Sequence, residues 1–367
     1  MKKIFSLILF LSVTIGFAQT PYYPATYYNT ATGTGYTLKT QLYNIIKSTI
    51  SSGGYDGLYT TYLTSDRDYY YENDGTVLDM YSEKPSGTDS YNYSATNSGD
   101  RCGNYAVEGD CYNREHIIPQ SVFNSNSPMV SDAHSVTPTD GKVNGWRSNY
   151  PHGKVGTAST TTQNGSKLGS ASNTGYAAGY SGTVFEPIDE FKGDIARMYF
   201  YFATRYENVI TTWGNSYAMF QSGSSTQVFT PTFKNILLTW HNQDPVNQRE
   251  IDRNNAISAR QHNRNPFIDH PEWVTAIWGS PLQTETFELL SAISVYPNPA
   301  VDNRITIESE TVLDEIDLIS INGQLMQQIK YPTSNNNTYT LENLPQGFYF
   351  LKLSSNNESI TKKVIVN

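Results

Sequence analysis

Asn113-Arg114-Glu115-His116-Ile117-Ile118-Pro119 sets a carboxylate directly beside an imidazole. Asp132-Ala133-His134-Ser135-Val136-Thr137-Pro138 follows, and Val143-Asn144-Gly145-Trp146-Arg147-Ser148-Asn149-Tyr150 then adds an amide oxygen and a guanidinium. Hydrolysis of a phosphodiester needs an activated water, neutralisation of transition-state charge and a proton for the leaving oxygen. One divalent ion and one base meet those needs. A hard cation such as Mg²⁺ takes oxygen ligands and often uses only one or two protein groups. In that chemistry Glu115 and Asn144 hold the ion. His116 stays off it as general base, because neutral imidazole accepts a proton readily near pH 7. An isolated Glu-His pair is weak evidence, since a surface acid beside a core histidine has the same spelling. The coupling of three runs is more specific.

Geometry raises one objection. Neighbours in a regular strand point to opposite faces, so Glu115 and His116 serve one site only in one of two ways. Either the backbone is irregular there, which Pro119 favours, or the substrate phosphate lies between them.

The elements that must position these groups are partly legible. Cys102 and Cys111 lie just upstream of Glu115. In an oxidising compartment a close, even pair is expected to bridge. So short a loop contributes about 2–3 kcal/mol and steadies the segment that delivers Glu115 and His116; two inert thiols are the alternative. Leu38, Leu42, Ile45 and Ile46 recur at helical spacing, with Thr37 as N-cap candidate. Alternation over 77–81 reads as a strand, and the Ser/Thr/Gly/Asn-rich stretch 159–182 as a surface loop. A helix over 193–208 places Ile195, Met198, Tyr199, Phe202 and Tyr206 on one face, leaving Arg197 and Arg205 for either a ligand or a core carboxylate. After a helical stretch over 233–241, Asp244-Pro245 reads as the start of another helix. Arg249, Arg253, Arg260 and Arg264 share one sector of that helix. Val246 and Ile257 share it too, which favours buried ion pairs over a stripe that tracks phosphates.

The compartment is read from the N-terminus. Lys2 and Lys3 precede an apolar run over 4–17, closed by Ala18 and Gln19. That is the layout of a signal peptide cleaved after residue 18. The run is shorter than the roughly 20 residues of a membrane span, so a protein without stable membrane insertion is expected. The 367 residues suit two domains, and a surface with only 16% charged residues and 28 tyrosines suits an exported protein. A net charge of −9 counts against a nucleic-acid partner. The stretch 142–154, however, holds Lys142, Arg147 and Lys154 and no acid, so local charge can still attract phosphate.

Beyond residue 294 the character changes to short alternating strands over 305–307, 316–321, 348–353 and 363–366. Asn322-Gly323 is a hairpin signal. Regular strands with turn punctuation argue a small β-sandwich, and no acids, histidines or nucleophiles group within it.

Taken together, the three opening runs resemble the bacterial endonuclease I family of the His-Me finger (ββα-metal) nucleases. Lys192-Gly193-Asp194-Ile195-Ala196-Arg197-Met198-Tyr199 and Asn263-Arg264-Asn265-Pro266-Phe267-Ile268 extend the resemblance over most of 19–279. It implies Glu115 as metal carboxylate, His116 as general base and Asn144 as second metal ligand at the start of the finger helix. It also implies one Mg²⁺, or Ca²⁺ or Mn²⁺, and cleavage of DNA and often RNA to 5′-phosphates with little sequence preference. Some relatives carry an arginine between the Glu-His pair and the Asp-x-His run that neutralises the transition state. Here 117–136 contains no Lys or Arg, so Arg147 is the candidate for that role, with Asp132 and His134 as orienting groups or plain structural ones.

The C-terminal segment resembles the sorting domain of the Bacteroidetes type IX secretion system. The residues that carry this are Tyr296-Pro297-Asn298-Pro299, the Asn322-Gly323 turn, Gly347-Phe348-Tyr349 and Lys362-Lys363-Val364-Ile365-Val366. The resemblance implies passage through the outer-membrane secretion machinery.

The expectation is therefore an α+β chain. A signal peptide spans 1–18, a ββα-metal nuclease domain 19–280, a linker 281–293 and an immunoglobulin-like sorting sandwich 294–367. The protein is read as a secreted, monomeric endonuclease that reaches the outside through the periplasm. The competing class is a catalytically silent adhesin that holds polymer with its surface tyrosines.

Overall fold

The computed structural model describes residues 23–48, 53–213, 217–279, 293–355 and 358–367. The expected signal peptide, and all of the expected linker but Ile293, lie outside them. The chain divides into two compact units, Met1–Trp278 and Gly279–Asn367. Among the described residues no helix is long and apolar enough to cross a membrane.

The first unit mixes helices and small sheets. It opens with α1 (Gly35–Ile46) and α2 (Gly54–Ser65). Leu38, Leu42 and Ile46 fall on one face of α1 at four-residue spacing and are buried. Its N-cap lies three residues before the expected one, at Thr34 and not Thr37. The expected strand over 77–81 is also absent, and Val77 makes one isolated bridge to Arg67. Residues 77–81 are all buried rather than alternately exposed. The reason lies in Asp79, which accepts from Tyr81 N, Ser82 Oγ, Thr139 Oγ1 and Asp140 N. A side chain thus replaces ladder pairing there.

Next come β1 (Tyr112–His116), β2 (Val136–Asp140) and α3 (Gly141–Arg147), with the two strands antiparallel. An antiparallel sheet of β3 (Val155–Thr161), β4 (Lys167–Ala171) and β5 (Thr183–Glu186) follows, and the end of β3 and all of β4 fall within 159–182, expected to be loop throughout. Most of β3 faces solvent, so its strands carry Ser, Thr and Gly without an apolar face to betray them.

The first unit's core is built around α4 (Lys192–Arg205), every residue of which is buried. That exceeds the one-sided burial its periodicity announces. α5 (Pro231–Gln243), α6 (Gln248–Gln261), α7 (Pro266–Asp269) and α8 (Glu272–Trp278) complete the unit. The start signal at Asp244-Pro245 comes three residues early. α6 begins after Asn247, whose side chain closes a capping box with Glu250, whereas Asp244 accepts from Gly193 N at the head of α4. Arg197 forms a two-pronged pair with Glu250 at 2.6 Å on each side, and Arg205 donates to Ser48 O. Arg249 pairs with Asp194, Arg253 with Asp66 and Arg264 with Asp269. Arg197, Arg249, Arg253 and Arg264 are thus core ion pairs, and Arg205 is held by a backbone carbonyl.

The second unit is all β. β6 (Ser294–Tyr296), β7 (Ile305–Glu308) and β10 (Thr338–Leu341) form one antiparallel sheet. β8 (Glu315–Ser320), β9 (Leu325–Lys330), β11 (Gly347–Ser355) and β12 (Glu358–Val366) form the other. Inward residues such as Ile305, Ile307, Leu318, Leu351, Leu353 and Val364 close a single apolar core. The β8–β9 hairpin turns at Asn322-Gly323, where Gly323 takes a φ of +85°.

Candidate active site

The site forms where β1 ends and α3 begins. Pairing runs unbroken from Tyr112↔Asp140 through Glu115↔Thr137 to His116↔Val136, so the backbone is regular and the two side chains diverge. Both nonetheless line one cavity of roughly 310 Å³, together with Asn144, Arg147, Arg114 and Gln120. Of the two ways to satisfy the strand geometry, the unbroken register removes the irregular backbone.

α3 is fixed at its start by Asp140, whose carboxylate accepts from Val143 N at 2.8 Å. The same carboxylate takes Tyr93 Oη and Gly109 N. Cys102 and Cys111 form a disulfide with Cα atoms 5.2 Å apart. Its loop is held on both sides, because Cys102 N donates to Tyr112 O and Gly141 N to Cys111 O. Tyr105 from that loop packs flat on α3. A Cβ at Gly141 would sit 2.6 Å from the Tyr105 ring and 2.7 Å from Cys102 Sγ, and one at Gly145 would sit 2.5 Å from the Tyr105 hydroxyl.

Glu115 is 2% exposed. Burial pushes its carboxyl up to about 7, against Arg147 and Tyr81, which favour the ionised form. Its Oε1 takes both partners, Arg147 Nη1 at 2.9 Å and Tyr81 Oη at 3.2 Å. Asn144 donates Nδ2 to Asn113 Oδ1 at 2.6 Å and, at 3.4 Å, towards Arg114 O. Both partners are acceptors, so the amide nitrogen is committed and the amide oxygen is left over. A braced carboxylate and a free amide oxygen on one cavity suit a hard divalent cation.

His116 donates Nε2–H to Val130 O at 3.0 Å. A carbonyl can only accept, so Nδ1 carries the lone pair. The ring lies near Tyr55 and Phe123, with centroids 5.7 and 6.2 Å away. Burial lowers its pKa to about 4, opposed by the Val130 and Arg114 carbonyls and aided by the guanidiniums of Arg147 and Arg114. The ring is therefore neutral at physiological pH.

Arg147 is 1% exposed and inward-facing. Besides Glu115 it donates to His116 O at 2.6 Å, Ile117 O at 2.5 Å and Tyr217 Oη at 3.3 Å. Those contacts occupy Nη1 and Nη2 of its guanidinium and anchor the end of β1. Arg114 lines the cavity at a half-buried position, stacked 3.5 Å over Tyr55 and 4.5 Å over Tyr59.

Asp132 and His134 are turned away from this cavity. Asp132 takes the hydroxyls of Tyr201 and Tyr206 and the amide of Gln261, and His134 Nε2 contacts Asn263 O.

Sequence reasoning did not find the polar network beneath Glu115. Tyr81 Oη is 2.6 Å from His152 Nε2, His152 Nδ1 is 2.8 Å from Tyr199 Oη, and Tyr199 reaches both Tyr217 and Ile117 O. Burial and the nearby Arg147 push His152 well below the usual imidazole range. The histidine of Tyr150-Pro151-His152 was the available signal, and nothing local marked the tyrosines.

A helix-backed strand end carrying a braced acid, a neutral imidazole and a free amide oxygen has the makings of a hydrolase. Residues 34–272 match the family Endonuclease I, and residues 294–367 the Secretion system C-terminal sorting domain. The chain belongs to the endonuclease I family and is a nuclease. It is 33% identical over 261 residues to the extracellular ribonuclease of Bacillus subtilis (strain 168), covering 69% of this chain and 78% of that one. The extracellular ribonuclease of Bacillus amyloliquefaciens is 33% identical over 260 residues with the same coverage. Among solved structures, PorZ, a surface component of the type-IX secretion system of Porphyromonas gingivalis, aligns with 23% of this chain and 12% of its own. The TM-score is 0.20 and the identity 16%, too slight a likeness to argue from.

Proposed function

We propose that this protein is an exported endonuclease that hydrolyses phosphodiester bonds of RNA and DNA. In this reading β1, β2 and α3 are a ββα-metal finger, Glu115 and Asn144 hold one divalent cation, and His116 is the general base. The observation that carries the proposal is the convergence of these three side chains on one cavity, with His116 Nδ1 unprotonated and Glu115 braced. Ribonuclease in the relatives' names puts RNA among the substrates, and the family name leaves DNA beside it.

His116 Nδ1 takes a proton from the attacking water, and its Nε2–H stays on Val130 O, so the base cannot swing away. Attack at phosphorus breaks the bond to the 3′-oxygen, which takes a proton from a solvent water as it departs, and leaves a 3′-hydroxyl and a 5′-phosphate. The cation, when bound, neutralises charge on the phosphate and polarises it towards attack; Mg²⁺ is the first choice, with Mn²⁺ or Ca²⁺ as substitutes. Arg147 is a positioning residue that holds Glu115 and the β1 carbonyls. The half-buried Arg114, which holds the exposed Asp56 and Tyr55 O through Nη1, is the guanidinium better placed to meet phosphate.

The all-β unit is read as a type IX sorting domain with an immunoglobulin-like sandwich, supported by its two antiparallel sheets on one core. The protein then passes through the periplasm to the secretion machinery and works outside the cell as a monomer.

The test is degradation of plasmid DNA and of RNA with Mg²⁺, with EDTA, and by His116→Ala. Chelation abolishes cleavage of both. His116→Ala lowers it at least ~100-fold, the usual contribution of a positioned base, while far-UV circular dichroism is unchanged. Wild-type rates in His116→Ala end the assignment of the base.

A further inference from the structure

We propose that Asp68, Glu72 and Glu83 bind a structural calcium ion, at a site sharing no residue with the nuclease cavity and independent of how that cavity is read. One carboxylate oxygen from each of the three lies within 4.8 Å of the other two. Among the described residues none of the three carboxylates has a Lys or Arg partner.

Glu83 is the observation that asks for a ligand. It is 1% exposed, and neither of its carboxylate oxygens has a hydrogen-bond partner. Glu72 Oε2 is buried and unpartnered as well. An ionised carboxylate taken out of water without a partner costs several kcal/mol. Burial and the neighbouring Asp89, Asp68, Glu72 and Asp79 push Glu83 up to about 9. Only two things relieve such a group, a proton or a cation.

The donor set favours the cation. Asp68 is held in place by Tyr70 N and Tyr71 N at 3.0 Å and by Asn73 N at 3.1 Å. One proton leaves two charges unrelieved beside it, whereas a divalent ion answers all three. Calcium bonds oxygen at about 2.3–2.6 Å, so ligands on one ion stand up to ~5 Å apart, while magnesium limits them to ~4.2 Å. Separations of at most 4.8 Å fall within the calcium limit.

The ion would clamp both ends of the segment that leads from α2 to Tyr81. Glu83 N donates to Asp79 O, and Glu83 O accepts from Asn164 Nδ2 at 3.2 Å. Tyr81, two residues earlier, donates to Glu115.

The test uses the mature full-length chain carrying Glu115→Gln, which silences the cavity cation. Tb³⁺ is titrated in and excited through tyrosine, since Tyr69, Tyr70 and Tyr71 lie within the segment. The expected result is one sensitised equivalent, displaced by Ca²⁺, and a Tm that rises with Ca²⁺. Adding Glu83→Gln, or separately the half-buried Glu72→Gln in case the first does not fold, weakens Tb³⁺ binding at least tenfold and removes the calcium-dependent rise. The proposal is overturned if Glu115→Gln protein gains no Tm from Ca²⁺. It is equally overturned if Glu83→Gln stabilises the calcium-free protein and leaves Tb³⁺ binding intact, because Glu83 then carries a proton. Neither failure touches the His116→Ala result.

Discussion

Glu115 is pushed towards the neutral form by burial and back towards the ionised form by Arg147 and Tyr81. Tyr81 is the weaker brace, at 3.2 Å, and can be removed without leaving a buried charge. Tyr81→Phe should lower the rate roughly ten- to a hundredfold, the usual effect of losing a group that orients a metal ligand. Initial rates against Mg²⁺ concentration should show a higher half-saturating concentration.

His134 offers a separate test at the same scale, because it is buried and touches no reacting group. Burial lowers its pKa from 6.5 to about 4. The unfolded chain therefore binds the proton first as pH falls. Stability present above about 6.5 is lost between there and about 4. His134→Gln removes this linkage. Denaturant midpoints at pH 7 and pH 5 should then differ less in the variant than in the wild type, by about 1–2 kcal/mol.

At the scale of elements, α3 is placed by what leans on it. Gly141 and Gly145, one helical turn apart, let Tyr105 and the disulfide lie against the helix backbone. Gly145→Ala improves helix propensity but puts a methyl where the Tyr105 hydroxyl sits. Tyr105 is 37% exposed and can shift aside, so the overpacking should win by no more than about 1 kcal/mol, read as a lower Tm in thermal melts. Asn144 rides on α3, so the same variant should also need more Mg²⁺ for half-maximal rate. α4 teaches a related lesson. Its apolar period is that of a surface helix, yet Arg197, Asp194 and Arg205 on its other side are buried too, in ion pairs or against a backbone carbonyl. A polar face in sequence becomes core wherever other elements bring partners for it.

For the whole molecule, each unit encloses its own apolar core, and the residues proposed for the nuclease site all belong to the first. Deleting residues 294–367 should therefore leave nuclease activity near the wild-type level in cell extracts. It should shift that activity in producing cells from the medium to the cell fraction. Assays of both fractions against a cytoplasmic marker check the outcome; full activity in the medium would remove the sorting role proposed for the second unit.

What the residue order determined is local or compositional. Apolar spacing announced α1, α4 and α5, and Asn322-Gly323 announced a hairpin, because each depends on neighbours a few residues apart. The three runs around Glu115, His116 and Asn144 carried the family, since this chemistry needs those residue types. Only tertiary structure decided what partners each charge. Arg147 looked free to meet phosphate until folding set it on Glu115 and two carbonyls. Tyr81 and Tyr199 joined the site from 34 and 82 positions away in the chain. The strands within 159–182 were hidden because a solvent-facing sheet needs no apolar alternation. Spacing records short-range geometry, whereas the cost of a buried charge and the identity of its partner depend on segments the chain brings together only when it folds.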